Sequence, residues 1–193
     1  MYHLPAFGPM QITVTYRRTS RLSLRVTPTG KVNVSAPFHT PETTIRQFIA
    51  DHRQWIEDSL RKMEGLHRQR TSFYDQLPLR TPRQQAEAAA RLDGIVRPLV
   101  ARYAPLMDVE PPLIDYKPFI SKWGDCVPAR NHITISLYAL LLPTWCIEHV
   151  VVHELVHLLV PDHSDRFRRL LTRYFPRWRE ARAETRRIMY PKQ

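Results

Sequence analysis

An α+β fold is what the sequence predicts, on three observations. Alternating apolar residues mark short strands over residues 11 to 36, 113 to 120 and 131 to 138. Helical spacing behind Thr-Pro starts fills most of the span between them. From Ile147 to Val160 the chain is apolar almost all round, the pattern of a helix buried on every side. At 193 residues the chain can bury one good core and reads as a single domain over 1–193. Within it we expect a β-rich N-terminal part about 10–36, a core about 113–175 and an arginine-rich C-terminal helix about 176–190.

Taken in order, Ile12, Val14 and Tyr16 alternate with polar residues, as do Leu22, Leu24 and Val26, then Val32 and Val34. Pro28-Thr29-Gly30 supplies a turn, and an antiparallel three-stranded unit is the expectation, with Arg17, Arg18 and Arg21 at its first turn. Thr40-Pro41 starts a helix with Ile45, Phe48, Ile49, Trp55, Ile56, Leu60 and Met63 on its inner face. His52 and His67 read as surface or boundary residues, and the polar stretch from His67 to Arg80 reads as a connector. Thr81-Pro82 starts the next helix, expected to kink near Pro98, run to about Tyr103 and end at Pro105 and Pro111-Pro112.

Two further strands follow, joined by SKWGDCVPARN. The second has Ile133, Ile135 and Leu137 alternating with Thr134, Ser136 and Tyr138. If the edge of that second strand is free, an extended peptide can add to it. Pro143-Thr144 opens the apolar helix. Ser164 or Asp162 caps a later helix with Phe167, Leu170, Leu171 and Tyr174 on its apolar side, and Pro176 separates that helix from the arginine-rich tail.

The apolar helix carries His153-Glu154-x-x-His157, and His163 follows six residues later. Histidines four apart lie on one helix face and can reach one ion. Pro161 ends the helix, so the chain can swing His163 back to make a third donor. Three protein ligands with one open position is the arrangement of a catalytic zinc. Glu154 points about 100° from His153, placed to take a proton rather than to bind metal. The spacing equals that of the metzincin signature, but Val160 stands at its glycine position, so we do not read a metzincin.

The net charge is +11, and arginines concentrate from Arg166 to Arg187. Such a field favours nucleic acid or another polyanion, although no recognisable nucleic-acid motif accompanies it. The N-terminus MYHLPAFGPM lacks the basic and apolar regions of a signal peptide, and no apolar run approaches a membrane span. Cys126 and Cys146 form no CxxC pair. A cytoplasmic protein without membrane partners is expected; the oligomeric state is not legible.

The stretches SKWGDC, NHITIS and VVHELVHLLVPDHSDRF resemble the YgjP-like family of predicted zinc metallopeptidases. Members show a K-x-R-W-G-S-C-like stretch, an N-I-x-L strand and V-V-H-E-L-x-H-L-x-x-x-N-H-S-x-x-F, and the likeness extends over nearly the whole chain. It implies a compact zincin-like α+β fold, with N-terminal antiparallel strands and a small sheet packed on an active-site helix. It also implies one Zn²⁺ per chain on His153, His157 and His163, with Glu154 as general base. Asp125 departs from the usual serine, Asp162 from asparagine and Arg168 from an aromatic.

The expected function is therefore zinc-dependent hydrolysis, of a peptide or protein substrate, by a zinc-activated water. Rival readings are a nucleotide or phosphate-ester hydrolase on the same site, a DNA-associated SprT-like protease, and a basic nucleic-acid-binding module with structural zinc. Trp123, Cys126, His132 and Asp162 are further site candidates: Cys126 as a fourth ligand or a packing residue, His132 as an oxyanion partner, and Asp162 as a charge near the metal or a helix cap. His149, one turn before His153, reads as a residue behind the ligands or on the surface rather than as a ligand.

Overall fold

The computed structural model describes residues 2–4, 12–27 and 29–191. Gln11, at the start of the first expected strand, and Pro28, in the expected turn, lie outside them. The chain is α+β and divides into two compact units, residues 1–69 and 70–193.

In the first unit, β1 (Tyr2–Leu4), β2 (Ile12–Arg17), β3 (Ser23–Val26) and β4 (Val32–Pro37) form one sheet in the order β1-β2-β4-β3. The expected all-antiparallel unit is corrected: β2 pairs with β4 in parallel, while β3 pairs with β4 and β1 with β2 antiparallel. Val32, Val34 and Ala36 are fully buried, so β4 takes the central position, and half-buried Leu24 and Val26 leave β3 at the edge. Residues 18–22 then carry the chain from β2 past the place of β4, a span of ~10 Å at usual strand spacing.

The single helix expected next is two, α1 (Glu42–Asp51) and α2 (Arg53–Asp75), broken at His52. The His52 ring caps the break, Nδ1–H donating to the Phe48 carbonyl at 2.8 Å. The break resets the helical phase: Ile56 is buried and Trp55 is half exposed. Thr40 does not cap the helix; its hydroxyl donates to the Pro37 carbonyl at 2.9 Å. The expected connector is helical as far as Asp75, because its Arg and Gln residues favour helix and Phe73 is buried.

The second unit takes in the end of α2. Its α3 (Pro82–Met107) starts with a capping box between Thr81 and Gln84. It continues through Pro98 and Pro105, beyond the expected end at Tyr103. The buried stripe Leu92, Val96, Val100, Ala104 and Met107 explains this. Each buried Leu, Val or Met side chain contributes ~1.5–3 kcal/mol, enough together to offset the ~3 kcal/mol that each of the two interior prolines costs.

A second sheet has β5 (Leu113–Lys117), β6 (Gly124–Val127) and β7 (His132–Ser136) in the order β5-β7-β6, with β5 parallel and β6 antiparallel to β7. Two expectations change here. The joining segment contains a strand, β6, and β7 is central, so it has no free edge for strand addition. The outer edge on that side belongs to β6. Residues Leu137–Leu141 form a 3-10 turn and lead into α4 (Thr144–Leu159), followed by α5 (Asp165–Tyr174) and α6 (Trp178–Met189). The buried helix α4 packs against α3, α5, α6, β6 and β7. No described helix is long and apolar enough to cross a membrane.

Candidate metal centre

Helix α4 buries Ile147, Val150, Val151, Val152, Leu155 and Val156, leaving His153 and His157 on one stripe. Val160 ends the helix in an extended conformation, its N–H donating to the Val156 carbonyl at 2.9 Å. The turn through Pro161 and Asp162 brings His163 back. The Nε2 atoms of His153 and His157 lie 3.2 Å apart, and those of His163 and His153 lie 3.0 Å apart. Nitrogen donors on a tetrahedral zinc stand ~3.4 Å from one another, from Zn–N bonds of ~2.0–2.1 Å. Phe167, from α5, backs all three imidazoles, its ring centroid 4.8, 4.5 and 4.8 Å from His153, His157 and His163.

The donor chemistry fits a divalent metal. His157 Nδ1–H donates to the Val160 carbonyl at 3.1 Å, which leaves its Nε2 lone pair facing the other two rings. Burial, with the neighbouring histidines and Arg182 adding, pushes His153 down to about 3, and burial holds His157 below the usual imidazole range. Neutral imidazoles are what a metal requires. The three histidines can hold one ion.

Glu154 is 5% exposed, and among the described residues no hydrogen bond reaches its carboxyl. Burial first, then the charge of Asp125, raises its pKa to about 8, with Lys122 opposing. The carboxyl lies over Gly124 of β6. A Cβ there would stand 2.6 Å from both Cγ and Cδ of Glu154. Glycine is required by that approach, not by backbone angles. Lys122 Nζ donates to Asp125 Oδ1 at 2.6 Å beside it.

These groups open into a cavity of about 940 Å³ in the second unit, walled by residues 121–126 with Pro128, by α4, by the turn and α5, and by α6. Of the sequence candidates, Trp123 lines it and packs edge-on to Phe73, centroids 6.1 Å apart. Cys126 lines it without joining the histidine cluster, and burial next to Glu154 and Asp125 pushes its thiol up to about 12. His132 and Asp162 are not in the lining; His132 Nε2 meets Asp115 Oδ2 at 3.1 Å, and Asp162 is exposed. Ser164, not Asp162, is the N-cap of α5, with no side-chain cap bond.

Several lining residues were not singled out as site residues by sequence reasoning, among them Gly124, Phe167, Arg182 and Arg186. His149 lines the cavity, stacks near Phe175 at 5.9 Å and is pushed down to about 4 by burial and Arg182. Trp178, Arg182 and Arg186 bring α6 to the wall. The signals existed: Phe167 in the F of the H-S-x-x-F pattern, Gly124 beside Trp123, and Arg182 and Arg186 four apart on a helix.

A family model of the YgjP-like metallopeptidase domain matches residues 20–81 and 79–188. No curated protein matches the chain.

Proposed function

Because the chain belongs to the YgjP-like metallopeptidase family, we propose that it hydrolyses peptide bonds at this cavity, with a zinc ion on His153, His157 and His163. The observation that carries the reading is the convergence of three imidazoles beside a buried carboxyl with no hydrogen-bond partner among the described residues. A zinc ion held there would supply Lewis acidity toward the scissile carbonyl and toward water.

The chain's own groups then have defined work. The Val160 carbonyl fixes the His157 tautomer, and Phe167 holds the three rings in place. Glu154 is the general base and then the acid: its carboxyl accepts the proton of the attacking water and delivers it to the departing amine. Burial raises the pKa of this carboxyl in the metal-free chain, and a bound divalent cation would lower it toward the ionised form that a base needs. The outer edge of β6, with Gly124 beside Glu154, is where an extended peptide would lie.

The test is hydrolysis of a quenched-fluorescent peptide library by zinc-loaded protein beside Glu154→Gln. Turnover should fall ~10²–10⁴-fold in the variant while zinc content is retained. Equal turnover by the two proteins, or none by the wild type across the library, counts against the reading.

A further inference from the structure

The cavity is charged in a way that metal ligation and proton transfer do not use. Four cations line it: Lys122, Arg168, Arg182 and Arg186. Two are tied to acids of the protein, Lys122 to Asp125 and Arg168 to Asp165. On or beside α6, the arginines away from the cavity are also engaged: Arg177 with Glu180 at 2.9 Å, Arg187 with Glu184 at 2.6 Å, and Arg179 over the Trp178 ring. Arg182 and Arg186 have no ion-pair partner among the described residues. They stand one helical turn apart on the face of α6 that walls the cavity. Arg182 is close enough for its charge to act on both His149 and His153.

We propose that Arg182 and Arg186 form a carboxylate-binding subsite, which makes the cavity selective for acidic peptides. The proposal rests on the peptidase reading of the same cavity and deepens it. Guanidinium groups recognise planar carboxylates through paired N–H donors. The walls around them, with Trp123, Val150, Leu171, Trp178 and Met189, are apolar and suit peptide side chains. A nucleic-acid track would instead call for an unbroken run of free cations, whereas Arg177 and Arg187 are held by glutamates. The carboxylate can come from an Asp or Glu side chain or from a peptide's C-terminus; the chemistry is shared.

Binding tests this apart from catalysis. Zinc-loaded Glu154→Gln protein is titrated with short peptides in matched sets, read by fluorescence of the lining residues Trp123 and Trp178. Each set carries Asp or Asn at one position, with a free or amidated C-terminus. About tenfold tighter binding of the acid-bearing members is expected. The preference should fall to near unity when Arg182→Gln and Arg186→Gln are added, with zinc stoichiometry and circular dichroism unchanged. Preference for Asp over Asn assigns the side chain, and preference for free acid over amide assigns the terminus; either supports the subsite. Equal affinity throughout, or a preference that survives both substitutions, overturns it. So does a single-stranded oligonucleotide that displaces the acidic peptides at lower concentration in an Arg182- and Arg186-dependent way. Acid-selective binding without wild-type hydrolysis of the same peptides keeps the subsite and removes the peptidase reading. Hydrolysis without acid selectivity does the reverse.

Discussion

Among the described residues, the unit spanning 1–69 buries Ile12, Val14, Val32, Val34, Ala36, Ile45, Ile49 and Ile56, and no polar or charged side chain. The unit spanning 70–193 buries Thr134, Ser136, Glu154, His157 and Thr185 along with a larger apolar core. Burying an apolar side chain stabilises a fold; burying an ionisable group without a partner costs free energy. The first core is therefore accounted for by stability alone. The second also buries two ionisable groups, Glu154 and His157, three residues apart on α4, which stability alone would not favour. The same contrast runs through the carboxyls: exposed Asp58 is held below the usual range by Arg61, whereas burial pushes Glu154 up to about 8.

Short of replacing Glu154 itself, the largest effect is expected from adding one carbon atom to β6. Gly124→Ala places a Cβ against the Glu154 carboxyl, so the carboxyl must move, and a displacement of that order costs ~10²-fold in turnover. Steady-state kcat/KM, measured beside zinc content, checks that the loss is positional. The matching change in the other unit is Ile45→Ala, at a fully buried side chain. It should cost ~2–5 kcal/mol by urea denaturation and leave zinc per folded chain unchanged, since every residue lining the cavity belongs to 70–193.

A pH series on metal-free protein sharpens the contrast. The folded pKa of Glu154, about 8, exceeds the ordinary glutamate value of 4.5, so the folded state binds the extra proton between those limits. Wild-type stability from this group is thus present below pH 4.5 and lost as pH rises toward 8. Metal-free Glu154→Gln should be the more stable protein at pH 8, by ~1 kcal/mol or more, and the gap should close near pH 4.5. An unchanged gap across the series would mean the carboxyl is not buried as described. The smallest effect is Gly65→Ala in α2, where nothing lies within 4 Å of the added methyl. A gain of ~0.5–1 kcal/mol in thermal or urea unfolding is expected.

The histidine cluster was legible because its signals are local: a helix apolar all round, two histidines one turn apart and a proline that forces the turn toward His163. Strand pairing was less so. The period-2 pattern marks β2, β3 and β4 but does not say which is central, and that choice follows from the full burial of β4. Four-residue β6 hid in a segment that reads as a loop, because Gly124, Asp125 and Cys126 make no alternating pattern. The break at His52 has no proline or glycine to announce it, so Trp55 was assigned the inward place that Ile56 takes. Arg182 and Arg186 were visible only as part of a charge run. Which arginines pair with glutamates and which face the cavity is decided by packing.

The central claim is that His153, His157 and His163 hold one metal ion, and elemental analysis of purified protein beside His163→Ala tests it most directly. His163 is exposed, so its loss leaves the fold intact while removing one of three donors. About one zinc per chain in the wild type, lost or much weakened in the variant, is the predicted result. A wild-type protein that carries no zinc and takes up none when it is added, or a variant that binds zinc as well as the wild type, would contradict the account.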